Sequence, residues 1–68
     1  MNITEIIANK VKEKRIEAGL SQVSLANKAG ITSRTIQKIE QGLPCSTTTL
    51  QSIFYILNIN MILKWKKN

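Results

Sequence analysis

A chain of 68 residues with ten Lys and Arg, four Glu, no Asp, no His and one Cys carries a net charge of +6 and an isoelectric point near 9.9. Lacking imidazole and holding a single thiol, one chain cannot build a His-based acid/base pair, a Ser/His/Asp or Cys/His triad, or a Cys/His zinc site, so neither catalysis nor a cofactor or metal is expected. The length admits one small domain, and because a domain near 60 residues buries only about 60% of the surface its unfolded chain exposes, size alone favours a dimer.

The first helix is predicted from about Asn2 to Ala18. Asn2 followed three residues on by Glu5 forms a capping pair in which each side chain satisfies an orphan backbone N–H. Its apolar stripe is Ile3, Ile7, Val11 and Ala18 with Ile6 beside it, and the same stripe stepped by four from Val11 reaches Arg15. A guanidinium on the inward face requires a carboxylate, since an unpaired buried charge is very costly. Gly19 ends the helix. A second, two-turn helix opens at Ser21, carries the apolar residues Val23, Leu25, Ala26 and Ala29, and closes at Gly30. Thr32 or Ser33 caps a third, whose Ile36 and Ile39 face the core while Ser33, Arg34, Gln37, Lys38 and Gln41 form a polar, cationic outer face. Gly42, Leu43 and Pro44 break the chain. A fourth helix is predicted from Ser46 or Thr47 to about Leu57, with Leu50, Ile53, Phe54 and Leu57 inward and Tyr55 and Ile56 semi-exposed.

From Asn58 the apolar period changes to two, with Ile59, Met61, Leu63 and Trp65 alternating with Asn58, Asn60, Ile62, Lys64 and Lys66, which predicts a strand. A lone strand in a helical chain has an open edge, and pairing with a second copy would close it. Division at residue 60 is expected, into a helical domain (1–59) and a strand with basic tail (60–68). Charge follows that division: residues 1–18 carry +1, 19–42 carry +2, 43–59 are neutral and 60–68 carry +3. Lys64, Lys66 and Lys67 suit contact with DNA, with an acidic partner, or simple protection of the strand edge. An unpaired Cys45 fits a reducing compartment, and with no secretory signal and no apolar run of membrane length, a cytoplasmic protein without a membrane partner is expected.

Two short helices joined through a Gly-containing turn describe a helix-turn-helix. The run from Val11 to Gly42 resembles the Cro/CI-type helix-turn-helix family, also called the xenobiotic response element family, over nearly half the chain. The marks are Arg15 four residues before Gly19, then Leu20, Ser21 and Gln22, Leu25 and Ala26, Gly30, Ile31 and Thr32, Ile36, Ile39 and Glu40, and Gly42. The resemblance implies an all-α, four-to-five-helix domain whose second helix crosses the DNA backbone and whose third enters the major groove. It also implies that Glu40 is the ion-pair partner of Arg15. Base contacts are implied for Ser33, Arg34 and Lys38, with Thr32 and Gln37 at the margin; side-chain chemistry agrees, since Arg can meet guanine O6 and N7 and Gln adenine N6 and N7. Phosphate contact is implied for Gln22 at the start of the second helix, with Ser21, Lys12 and Gln41 as further candidates. The loop from Leu43 to Ser46 lacks the cations that many relatives place there.

The end of the chain, Ser46 to Trp65, looks like the end of HipB-type antitoxins, DNA-binding partners of HipA-type kinase toxins. That similarity implies a terminal strand paired across a homodimer, with Phe54, Ile59, Met61, Leu63 and Trp65 at the interface. The expectation is therefore a homodimeric, sequence-specific repressor of an inverted-repeat operator, acting as the autoregulatory antitoxin of a HipBA-like operon with a HipA-like toxin or associated protein as partner. The alternatives are a phage or mobile-element Cro-like repressor without a toxin, and a basic module that binds an acidic protein or a membrane.

Overall fold

The computed structural model describes residues 2–59, which form α1 (Ile3–Glu17), α2 (Gln22–Ala29), α3 (Ser33–Glu40) and α4 (Thr47–Ile56), with no strand among the described residues. Each helix opens on a short polar side chain that accepts a bond from a first-turn N–H: Asn2 for α1, Ser21 for α2, Thr32 for α3 and Ser46 for α4. At α1 the capping is reciprocal, with Asn2 Oδ1 accepting from the Glu5 N–H at 2.9 Å and Glu5 Oε1 accepting from the Asn2 N–H at 3.2 Å.

All four helices close the same way. A residue with positive φ follows the helix, and the next N–H reaches back five residues, as at Leu20 to the Arg15 carbonyl, Ile31 to Ala26, Leu43 to Lys38 and Ile59 to Phe54. Glycine supplies the left-handed conformation three times; at α4 Asn58 does, with φ 56°. The strand expected from Asn58 therefore does not begin there. Asn58 and Ile59 complete the α4 closure instead, with the Ile59 N–H 2.8 Å from the Phe54 carbonyl oxygen and the Ile59 side chain in the core. Two residues of apparent alternation cannot distinguish a strand from a helix closure whose final side chain folds inward. The rest of that expected strand, with Met61, Leu63, Trp65 and the tail lysines, lies outside the described residues.

The core is a cluster of Ile7, Val11, Leu25, Ala26, Ile36, Ile39, Ile53, Leu57 and Ile59, edged by half-buried Leu20, Ala29, Ile31, Leu50 and Phe54. Helix α3 packs against both α1 and α2, and α2 also packs against α4. Of the apolar stripe expected on α1, Ile3 and Ala18 are exposed, and on α2 Val23 is exposed as well. Helix α1 has 15 residues against eight in each of its neighbours, about 22 Å against about 12 Å, so its ends overrun the surface that its middle turns bury. Val23 lies two residues from buried Leu25, about 200° around the helix, and so faces away from the core. Tyr55, expected semi-exposed, is 88% exposed.

Candidate nucleic-acid interface

The third helix divides cleanly. Ile36 and Ile39 are buried, and Arg34, Gln37, Lys38 and Gln41, spaced i, i+3, i+4 and i+7, form one exposed stripe on the other side. Ser33 is half-buried at the edge of that stripe. Thr32 sits one residue before the helix, its hydroxyl accepting from the Thr35 N–H at 3.4 Å and lying 3.1 Å from the Thr35 hydroxyl. That occupied hydroxyl makes Thr32 first a cap that orients the start of α3.

Charge is distributed unevenly. On α1, Lys10 lies 3.4 Å from Glu13 and Lys14 3.5 Å from Glu17. Among the described residues, Lys12, Lys28, Arg34 and Lys38 make no ion pair. Arg34 and Lys38 are moreover four apart on one helix face, an arrangement that costs about 0.2–0.5 kcal/mol by like-charge repulsion in the free protein and that a bound polyanion relieves. Lys28 stands in the last turn of α2, where a cation also suits the helix dipole.

Behind the stripe, one carboxylate ties three elements together. Arg15 Nε donates to Glu40 Oε2 at 2.7 Å, Arg15 Nη2 donates to Glu40 Oε1 at 3.2 Å, and Arg15 Nη1 donates to the Leu20 carbonyl at 2.8 Å. The Glu40 side chain is only 5% exposed and that of Arg15 13%. The hydrogen bond from Arg15 to Glu40 and the charge of that carboxylate raise the guanidinium pKa above its ordinary value, against the opposing effect of burial. Arg15 thus meets the carboxylate that its inward position requires. Gln22 adds a third donor, its Nε2 lying 3.2 Å from Glu40 Oε1.

A buried, paired base beneath an exposed cationic stripe, carried by two short capped helices joined by a three-residue turn, is the layout of a unit that presents one helix to a groove. The family model described as helix-turn-helix, of the Cro/CI type, matches residues 11–61. The chain belongs to the helix-turn-helix family. It is accordingly a DNA-binding transcription regulator. Within this helix-turn-helix protein, α2 and α3 are the paired helices of the motif and α1 and α4 flank them. Among the described residues there is no group of three or more His, Cys, Asp or Glu able to hold a metal ion, and no helix long and apolar enough to cross a membrane.

The candidate contact residues fall into two groups by position. Arg34, Gln37, Lys38 and Gln41 share the exposed stripe, whereas Ser21 and Gln22 stand at the start of α2, the Ser21 hydroxyl accepting from the Ser24 N–H at 3.0 Å. Lys12 is exposed on α1. Two features escape sequence reasoning. One is Lys28, whose only signal is an unmatched cation on α2; the other is the bond from Gln22 to Glu40, which spans 18 residues and has no local signature.

Proposed function

We propose that the protein is a homodimeric, sequence-specific repressor that acts on DNA in the cytoplasm, binds an inverted repeat with half-sites about 34 Å apart or a multiple of that, and regulates its own operon as the antitoxin of a HipBA-like pair. The observation that carries the DNA reading is the exposed stripe of Arg34, Gln37 and Lys38, whose two cations have no acidic partner among the described residues, on a helix whose other side is buried. In this reading Ser33, Arg34, Gln37 and Lys38 meet base edges, with Thr32 beside them, and Ser21, Gln22, Lys12 and Gln41 face the phosphates. Two-fold symmetry matches one such helix to each half-site. The toxin partner rests on the likeness of Ser46 to Trp65 to the end of HipB-type antitoxins. Binding is the whole activity, with no reaction catalysed.

Selection of bound sequences from random duplex DNA by the purified chain tests the reading. A palindromic consensus supports a dimeric regulator; retention of scrambled duplex as strongly as any selected sequence overturns it in favour of a basic interaction module. Deletion of residues 60–68 is expected to leave helices that fold but to weaken both dimerisation and operator affinity. Sedimentation of an intact dimer after that deletion removes the shared strand from the reading. A neighbouring gene encoding a HipA-like kinase, and its co-purification with the chain, separates an antitoxin from a Cro-like repressor that has no toxin.

A further inference from the structure

We propose that Gln22 is a positioning residue for the groove helix: it sets the seating of α3 on α2 by holding Glu40, and DNA binding depends on that inward bond more than on an outward bond to phosphate. The inference rests on the DNA-binding reading above and alters the part that Gln22 plays within it.

Gln22 is the first residue of α2 and half-buried, and its Nε2 lies 3.2 Å from Glu40 Oε1, on the last residue of α3. The same carboxylate accepts both bonds from Arg15 of α1, and Arg15 is in turn bonded to the Leu20 carbonyl in the turn between α1 and α2. Arg15 therefore fixes Glu40 relative to α1, and Gln22 fixes it relative to α2. Between α2 and α3 the remaining contacts within the core are apolar, made by Leu25, Ala26, Ile36 and Ile39. Apolar contacts resist separation but have little directional preference, so they permit sliding and rotation. A hydrogen bond to a carboxylate is directional and roughly twice as strong as one between neutral groups. Gln22 is thus the polar tie that sets the angle between α2 and the stripe of Arg34, Gln37 and Lys38.

Chemistry separates this role from that of a phosphate ligand. An amide nitrogen carries two hydrogens, and one of them points to Glu40. Loss of a phosphate contact weakens binding to every sequence alike, whereas misalignment of a groove helix weakens only the binding that reads base edges.

The test uses the full chain with Gln22→Met, which keeps the length and removes the donor, and Gln22→Ala as a second variant for the case in which the first does not fold. Affinities for a selected operator and for a scrambled duplex are measured at one salt concentration, at a temperature where circular dichroism reports folded helix. The expected result is a loss of roughly tenfold on the operator, comparable to one impaired base contact, with the scrambled duplex bound within about twofold of wild type. Equal losses on both duplexes make Gln22 a phosphate ligand and overturn the proposal, as does an unchanged operator affinity. A wild-type chain that itself does not distinguish the two duplexes overturns the DNA-regulator reading, a failure visible before any variant is compared.

Discussion

Glu40→Ala puts the buried polar base of α3 under direct test. The substitution removes the acceptor of three hydrogen bonds and leaves Arg15, with a side chain 13% exposed, bonded only to the Leu20 carbonyl among the described residues. Breaking a buried ion pair from one side costs about 3–5 kcal/mol, chiefly through the stranded charge. The Arg15 side chain is not fully buried, which favours the lower end, about 3 kcal/mol. At about 0.05–0.15 kcal/mol per residue, a domain of about 60 residues has a total stability of only about 3–9 kcal/mol, so the change removes a third or more of it. Each kcal/mol moves the melting midpoint of a domain this small by about 4–8 °C, giving an expected fall of about 12–24 °C in a circular dichroism melt. Glu13→Ala is the internal control. It removes a partner from Lys10 at a site where both side chains are about half exposed and is expected to change stability by no more than about 0.5 kcal/mol. The double replacement Arg15→Met with Glu40→Leu should restore most of what the single change loses, because apolar groups of similar size are tolerated where a half-pair is not. A fall of less than about 4 °C for Glu40→Ala would refute the reasoning.

Further outcomes are expected at the polar stripe, at two positions of positive φ and at Cys45. Arg34→Ala should cost about 1–3 kcal/mol on the operator and relax preference at one base pair, whereas Lys12→Ala, if it meets phosphate, should weaken all sequences alike and reduce the slope of log affinity against log salt by about 1, both readable by titration. Gly30→Ala should cost about 1–2 kcal/mol in urea unfolding although no atom lies within 4 Å of the added methyl, because the penalty comes from φ 69°; Asn58→Gly should be neutral or stabilising for the same reason. Cys45 should react with alkylating reagents more slowly than a free thiol, since burial raises its pKa. Because the raised value belongs to the folded state, its contribution to stability is present below the unfolded value near 9 and is lost as pH rises above it, which stability measured across that range would show.

The helix boundaries are readable from the sequence because their determinants act over three to five residues. Asn2 with Glu5, Ser21, Ser46 and the three glycines each signal an end within one turn. Arg15 is intermediate: stepping the α1 stripe by four shows that a cation turns inward, but its partner is 25 residues away, and only the resemblance to Cro/CI-type proteins points to Glu40. The bond from Gln22 to Glu40 is not readable, since it depends on how closely α2 approaches α3 and a glutamine at a helix start serves an outward role equally well. Ile59 misleads for the opposite reason. Its place in an alternating run is a local signal, and the core competes for the same side chain and prevails.

The closure of α4 also determines where any appended sequence is rooted. Asn58 turns the backbone with φ 56°, Ile59 is bonded to the Phe54 carbonyl, and its side chain joins Leu25, Ile36 and Ile53 in one cluster. The exit point of the described chain is thereby clamped to the same core that carries α3. Whatever follows residue 59, whether the native tail, a tag or a graft from another protein, inherits a fixed origin relative to α3. Exchange of everything beyond that point leaves the four helices and the packing of α3 as they are, which makes Ile59 the natural seam for building chimeric helix-turn-helix proteins.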